Sequence, residues 1–193
     1  MEKKQIIANA EEQFAREVTL GVIVQKPPPV WQTLIPGMFI IDFLRRSSAI
    51  RQYTKNFMFP RKLAMDAAQA LTEGQDKAGI NSGIEAEIEN RLNALHLFSQ
   101  DMARLQKVVV DFLIDHYLKL LGAEGYSFYD LIRSAYASRE EYEEHLRRLS
   151  SAEKEVDRAI IERLGENQTL REKLQTEEQQ VEKRRQKILD EIF

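Results

Sequence analysis

The sequence predicts an all-α protein, built as a long antiparallel helical hairpin or bundle with shorter N-terminal helices and a charged C-terminal helix. Three observations carry that prediction. The apolar positions Ile84, Ile88, Leu92, Leu95, Phe98, Met102, Leu105, Val109, Phe112 and Leu113 step by threes and fours, the period of one helix face. Helix-start signals recur, with Ser or Thr followed three residues later by an acidic residue at Ser82/Glu85, Ser127/Asp130, Ser138/Glu141 and Thr169/Glu172. Leu170, Leu174, Val181 and Ile188 keep a thin apolar seam through the charged last segment, interrupted by Glu177 and Arg184, as suits a helix packed on one neighbour or a weak coiled coil.

Taken in order, the first unit is 1–26. Ile7, Ala10, Phe14 and Val18 predict a short amphipathic helix, and the run Leu20 to Val24 predicts an extended segment. Pro27, Pro28 and Pro29 then impose a stiff linker without backbone donors, which makes this the best boundary in the chain. The second unit is 27–71. Pro36 suits the first position of a helix and Pro60 is expected to break or kink it, so a helix over 36–58 is predicted. Residues 72–83 read as a flexible, glycine-containing loop. The last unit, 84–193, holds one helix from 84 to 121, ended by Gly122 and Gly125, and further helices over 128–137, 139–164 and 169–192. Helices 84–121 and 139–192 are expected to pair antiparallel, and 84–121 and 169–192 also offer faces for self-association.

Charge is distributed unevenly along this frame. The formal net charge is −3, yet residues 43–65 carry Arg45, Arg46, Arg51, Lys55, Arg61 and Lys62 and no carboxylate. Phe43, Tyr53, Phe57 and Phe59 are interleaved with those cations. The island directly follows the most apolar run, Val30 to Leu44, which contains Phe39 and the chain's only tryptophan, Trp31. A greasy stretch running into a basic, aromatic one is suited to an anionic membrane surface or to a partner protein. The predicted docking residues are therefore Trp31, Phe39, Phe43, Arg45, Arg46, Arg51, Lys55, Arg61 and Lys62. The same run equally fits the central helix of a bundle, with its arginines paired to acidic neighbours.

Several chemistries are disfavoured. The chain has no cysteine, which removes disulfides and thiolate sites. It has no Gly-x-Ser-x-Gly elbow and no phosphate-binding glycine loop, and no cofactor is predicted. Nucleic acid is the less favoured polyanion, because no recognition module is present and the long helices carry abundant carboxylates. The competing enzyme reading is a carboxylate and histidine metal site around Asp111, Asp115, His116, Glu141 and His145, although no histidine has Glu three positions before it, as a di-iron bundle requires. The N-terminus predicts no secretion signal, and the longest apolar run, broken by Pro36 and Gly37, is too short to span a bilayer. The expectation is a non-enzymatic scaffold or adaptor in the cytoplasm, peripheral at the membrane.

Overall fold

A computed structural model describes residues 2–23, 38–165 and 168–193. Among these residues there are seven helices and no strand: α1 (Glu2–Ile23), α2 (Met38–Thr72), α3 (Lys77–Ala94), α4 (Gln100–Gly122), α5 (Phe128–Ala135), α6 (Arg139–Leu164) and α7 (Gln168–Ile192). The all-α prediction holds.

Cross-helix pairs fix the register. Thr19 meets Thr54 and Glu11 meets Arg61, so α1 and α2 run antiparallel. Lys119 meets Glu141 while Arg148 lies over Phe112, so α4 and α6 are antiparallel as expected. Lys154 pairs with Glu178 and Arg139 with Asp190, which folds α7 back along α6. Gly165, at the end of α6 with φ 81°, begins the reversal between them. Arg184 and Glu17 join α7 to α1, closing the bundle between the first and last helices.

The core follows the sequence periodicity. Val109, Val110, Leu113, Tyr117 and Leu120 form the inner stripe of α4, facing Ala64, Met65 and Ala68 on α2 and Leu131 and Ile132 on α5 within one cluster. The small residues on α2 permit close helix approach, and α2 and α4 make the most extensive helix pair. On α7 the seam residues Val181 and Ile188 are buried in the chain's own core.

Four elements differ from the sequence reading. The predicted 84–121 helix is two helices, because the chain turns at 95–99. His96 adopts the left-handed conformation, φ 57°, and the amide N–H groups of Leu97 and His96 donate back to the carbonyls of Leu92 (2.9 Å) and Asn93 (3.0 Å). That is a Schellman closure with histidine where glycine is usual, followed at once by Ser99 as the N-cap of α4, its hydroxyl accepting from the Met102 amide at 3.1 Å. Apolar spacing continues across the turn, which is why periodicity missed it.

The 72–83 loop is much shorter than expected. α3 begins at Lys77, capped by Asp76, whose carboxylate accepts from the Gly79 amide at 2.7 Å, so Ser82 lies inside the helix and not at its start. Gly79 and Gly83 are tolerated at a cost of roughly 1 kcal/mol each because Ile84, Ile88 and Leu92 bury behind them. The Leu20 to Val24 segment, expected extended, is helical through Ile23. Finally, Pro60 sits within α2 and does not end it. Proline cannot donate to the Asn56 carbonyl; beside it, the Arg61 guanidinium donates to the Phe57 carbonyl at 3.2 Å, supplying a side-chain donor to that stretch of backbone.

Candidate functional site

The nine predicted docking residues separate into three groups. Trp31 lies outside the described residues. Phe39, Phe43, Arg45 and Arg46 fall on the opening turns of α2, where the helical backbone is what is described. Arg51, Lys55 and Lys62 are exposed, with Lys62 3.9 Å from Glu12 across α1. Arg61 departs from the prediction. Only 4% exposed, it points into the bundle and is unavailable to any surface.

The register sets the start of α2 against the described ends of α1 and α3. Because Thr19 faces Thr54, Ile23 at the described end of α1 comes level with Ile50. Arg91 contacts Asn56 and lies over Phe59, so Ala94 at the end of α3 comes level with about Tyr53. The α2 backbone from Met38 to Ala49 therefore extends past the described ends of both antiparallel neighbours. That stretch has the sequence MFIIDFLRRSSA, which joins the apolar run to the first two arginines.

Inside the bundle, Arg61 organises a charged centre that joins four helices. Its Nε meets Glu11 on α1 at 3.1 Å and its Nη2 meets Glu153 on α6 at 3.4 Å. Glu153 is shared with Arg185 on α7 at 2.9 Å. Arg185 also donates to the Ser150 hydroxyl, which in turn donates to Glu182 at 2.6 Å. The Arg61 guanidinium stacks 3.9 Å from the Phe57 ring centroid. Burial opposes its charge, but Glu11 and then Glu153 more than offset that and hold it protonated.

Arg61 and Arg185 both line two separate cavities. The first, about 330 Å³, opens toward α3 and is bordered by Tyr53, Asp157 and Glu177. Burial pushes the Asp157 carboxyl up to about 7, and its acidic neighbours Glu177, Glu153 and Glu178 add to the effect. Burial likewise raises Glu177, with Glu153 contributing. The second cavity, about 280 Å³, opens toward α5 and holds His116, His145 and Tyr142. Burial pulls His145 down to about 4, and Arg185, Lys119 and Arg148 add to it; His116 is lowered for the same kind of reason.

The two histidines of the metal-site reading do come together. Their rings stack at 4.9 Å, and His116 Nδ1 is 2.7 Å from the Tyr136 hydroxyl. The three carboxylates do not join them. Asp111 pairs with Lys107 at 2.5 Å, Glu141 with Lys119 at 2.6 Å, and Asp115 faces outward from α4. Among the described residues no group of three or more His, Asp or Glu could hold a metal ion. What the sequence did not reveal is the Arg61–Glu153–Arg185 centre. Its one signal was an arginine directly after a proline, shortly before the alanine-rich stretch 64–70 of α2.

Among the described residues no helix is long and apolar enough to cross a membrane. No protein-family model matches the chain, and no curated protein or solved structure is significantly similar to it.

Proposed function

We propose that the protein is a non-enzymatic helical scaffold that docks on an anionic membrane face through the apolar and basic start of α2. The observation that supports this most is the register of α2, whose backbone from Met38 to Ala49 runs past the described ends of α1 and α3. A segment of that sequence gains by meeting an apolar layer, and the cations that follow it match phosphate headgroups. Arg51 and Lys55, exposed on the next turns, extend the basic strip, while Lys62 stands further along the same helix. Each well-placed cation contributes about 1 kcal/mol at such a surface. The remainder of the molecule, tied together by the Arg61 centre, serves as the rigid body that the docked helix carries.

The test is co-sedimentation of the protein with vesicles of phosphatidylcholine alone and of phosphatidylcholine with phosphatidylserine, over a salt series. Binding to the anionic vesicles that weakens with salt is expected. Reversing Arg45, Arg46 and Arg51 to Glu should remove that binding and leave the far-ultraviolet dichroism unchanged. Binding that ignores lipid charge, or survives the triple reversal, would overturn the proposal.

A further inference from the structure

The cavity beside the two histidines is built for a ligand of definite chemistry. Phe14, Leu113, Phe128, Leu146 and Ile188 give it apolar walls drawn from five helices. Its polar lining includes His116, His145, Arg61, Arg184, Arg185 and Glu11, the last held by Arg61, and the Nε2 atom of His145 is buried without a hydrogen-bond partner. Buried polar atoms in folded proteins are nearly always paired, so an unpaired one beside a cavity marks a place for an incoming group.

The charges around that atom decide what the group is. Lys119 on α4, Arg148 on α6, Arg61 on α2 and Arg185 on α7 act through space to disfavour a proton on one or both imidazoles. The acidic groups nearby are already engaged. Glu11 is held by Arg61, Glu17 by Arg184, and Glu153 by both Arg61 and Arg185. Tyr129 on α5 is engaged with Glu191, and Tyr136, next to α5, with His116. Tyr142 on α6 is kept protonated by burial. Lys119 is likewise held by Glu141, so these carboxylates are bound to the same cations that act on the rings, and Arg148, over the Phe112 ring, is the one cation of this set without a carboxylate ion pair among the described residues. A ligand bringing one negative charge completes the balance, and an apolar body fills the remainder.

The geometry points to this cavity as a binding site for a small monocarboxylic acid, such as a medium-chain fatty acid, with its carboxylate on His145 Nε2 and its chain against Phe14, Phe128 and Ile188. The volume, about 280 Å³, is just under the range of about 300–1,000 Å³ usual for ligand pockets, which restricts the site to a chain no longer than medium length. Bound carboxylate reverses the local field, so the His145 ring takes up a proton as the acid binds. The proposal is independent of membrane docking by α2.

Isothermal titration of the full chain with sodium octanoate near pH 6.5, run in two buffers of different ionisation heat, tests it. One saturable site is expected, with proton uptake on binding and affinity falling as pH rises. Octanol, with the same chain and no charge, should bind at least tenfold more weakly. Leu146→Trp, which fills the cavity, should abolish the site, and His145→Phe, which keeps a ring but removes Nε2, should weaken octanoate at least tenfold. Equal affinity for octanol and octanoate would overturn the carboxylate assignment without recourse to any variant. Absence of saturable octanoate binding, or binding unchanged in Leu146→Trp, would overturn the site itself.

Discussion

On the α3 side of Arg61 and Arg185, a cavity of about 330 Å³ surrounds Asp157 with other carboxylates; on the α5 side, one of about 280 Å³ surrounds His145 with cations. The local fields are opposite in sign, yet both push a titratable group toward its neutral form. The acid is raised and the imidazole lowered, and burial is the largest cause in each case. The comparison teaches how this interior accommodates charge. The most deeply buried fixed charges lie in the paired centre between the cavities, and Asp157 and His145 give up charge on either flank.

The sharpest way to break that arrangement is to remove its divider. Arg61→Met leaves Glu11 buried without its partner and Glu153 with one arginine in place of two. A loss of about 3–5 kcal/mol is expected, read from the urea midpoint by circular dichroism. A loss below about 1 kcal/mol would mean that the centre does not hold charge in the way described.

The two flanks should respond to pH in opposite senses. Asp157 has a folded value of about 7 against an ordinary 3.8, so the folded chain binds more protons than the unfolded one between those limits. Its contribution is fully present below about pH 4 and is lost as pH rises through 7. Asp157→Asn should therefore raise stability by about 2 kcal/mol at pH 8 and change it little at pH 4. His145, lowered from 6.5 to about 4, works the other way, because here the unfolded chain binds the extra proton. Its contribution is present above pH 6.5 and is lost as pH falls through 4. Relative to the parent, His145→Gln should gain about 1–2 kcal/mol between pH 8 and pH 4. In the parent the two slopes oppose each other, and its stability should vary less with pH than that of either variant. Parallel slopes in the two variants would dissolve the comparison.

The smallest effect is expected at the rim. Lys119 and Glu141 form a half-exposed pair, and Lys119→Ala should change stability by less than about 1 kcal/mol. Lys119 is also one of the cations that lower His145, so the His145 titration followed by proton NMR should move upward in the same variant. A change in stability without that movement would place Lys119 outside the field of the imidazoles.

How legible this was in the sequence varied with the physics involved. The last three helices were read closely because their boundaries are made by local chemistry. Ser127 and Asp130 form a reciprocal capping box, Ser138 caps α6, and Gly165 ends it. The α3–α4 turn was hidden because His96 adopts a conformation usually left to glycine while the apolar period ran on undisturbed. Pro60 looked like a stop, and tertiary packing kept α2 helical through it. The basic island was legible as composition, but composition could not distinguish Arg61, turned inward, from Lys62 beside it, turned outward. That distinction depends on partners at Glu11 and Glu153, remote in sequence. The approach of His116 to His145 followed from the hairpin; the failure of Asp111, Asp115 and Glu141 to join them followed from helix phase.

The charged centre also bears on how the chain folds. Its members, Glu11, Arg61, Glu153 and Arg185, are drawn from nearly the full span of the sequence, so no local segment can assemble it. A partial structure that docks α1 on α2 before α7 arrives carries Arg61 and Glu11 but leaves Glu153 waiting for Arg185. Each such intermediate pays for charge removed from water before its partner is in place, and is thinly populated for that reason. A network drawn from four helices so distant in sequence thus favours all-or-none assembly.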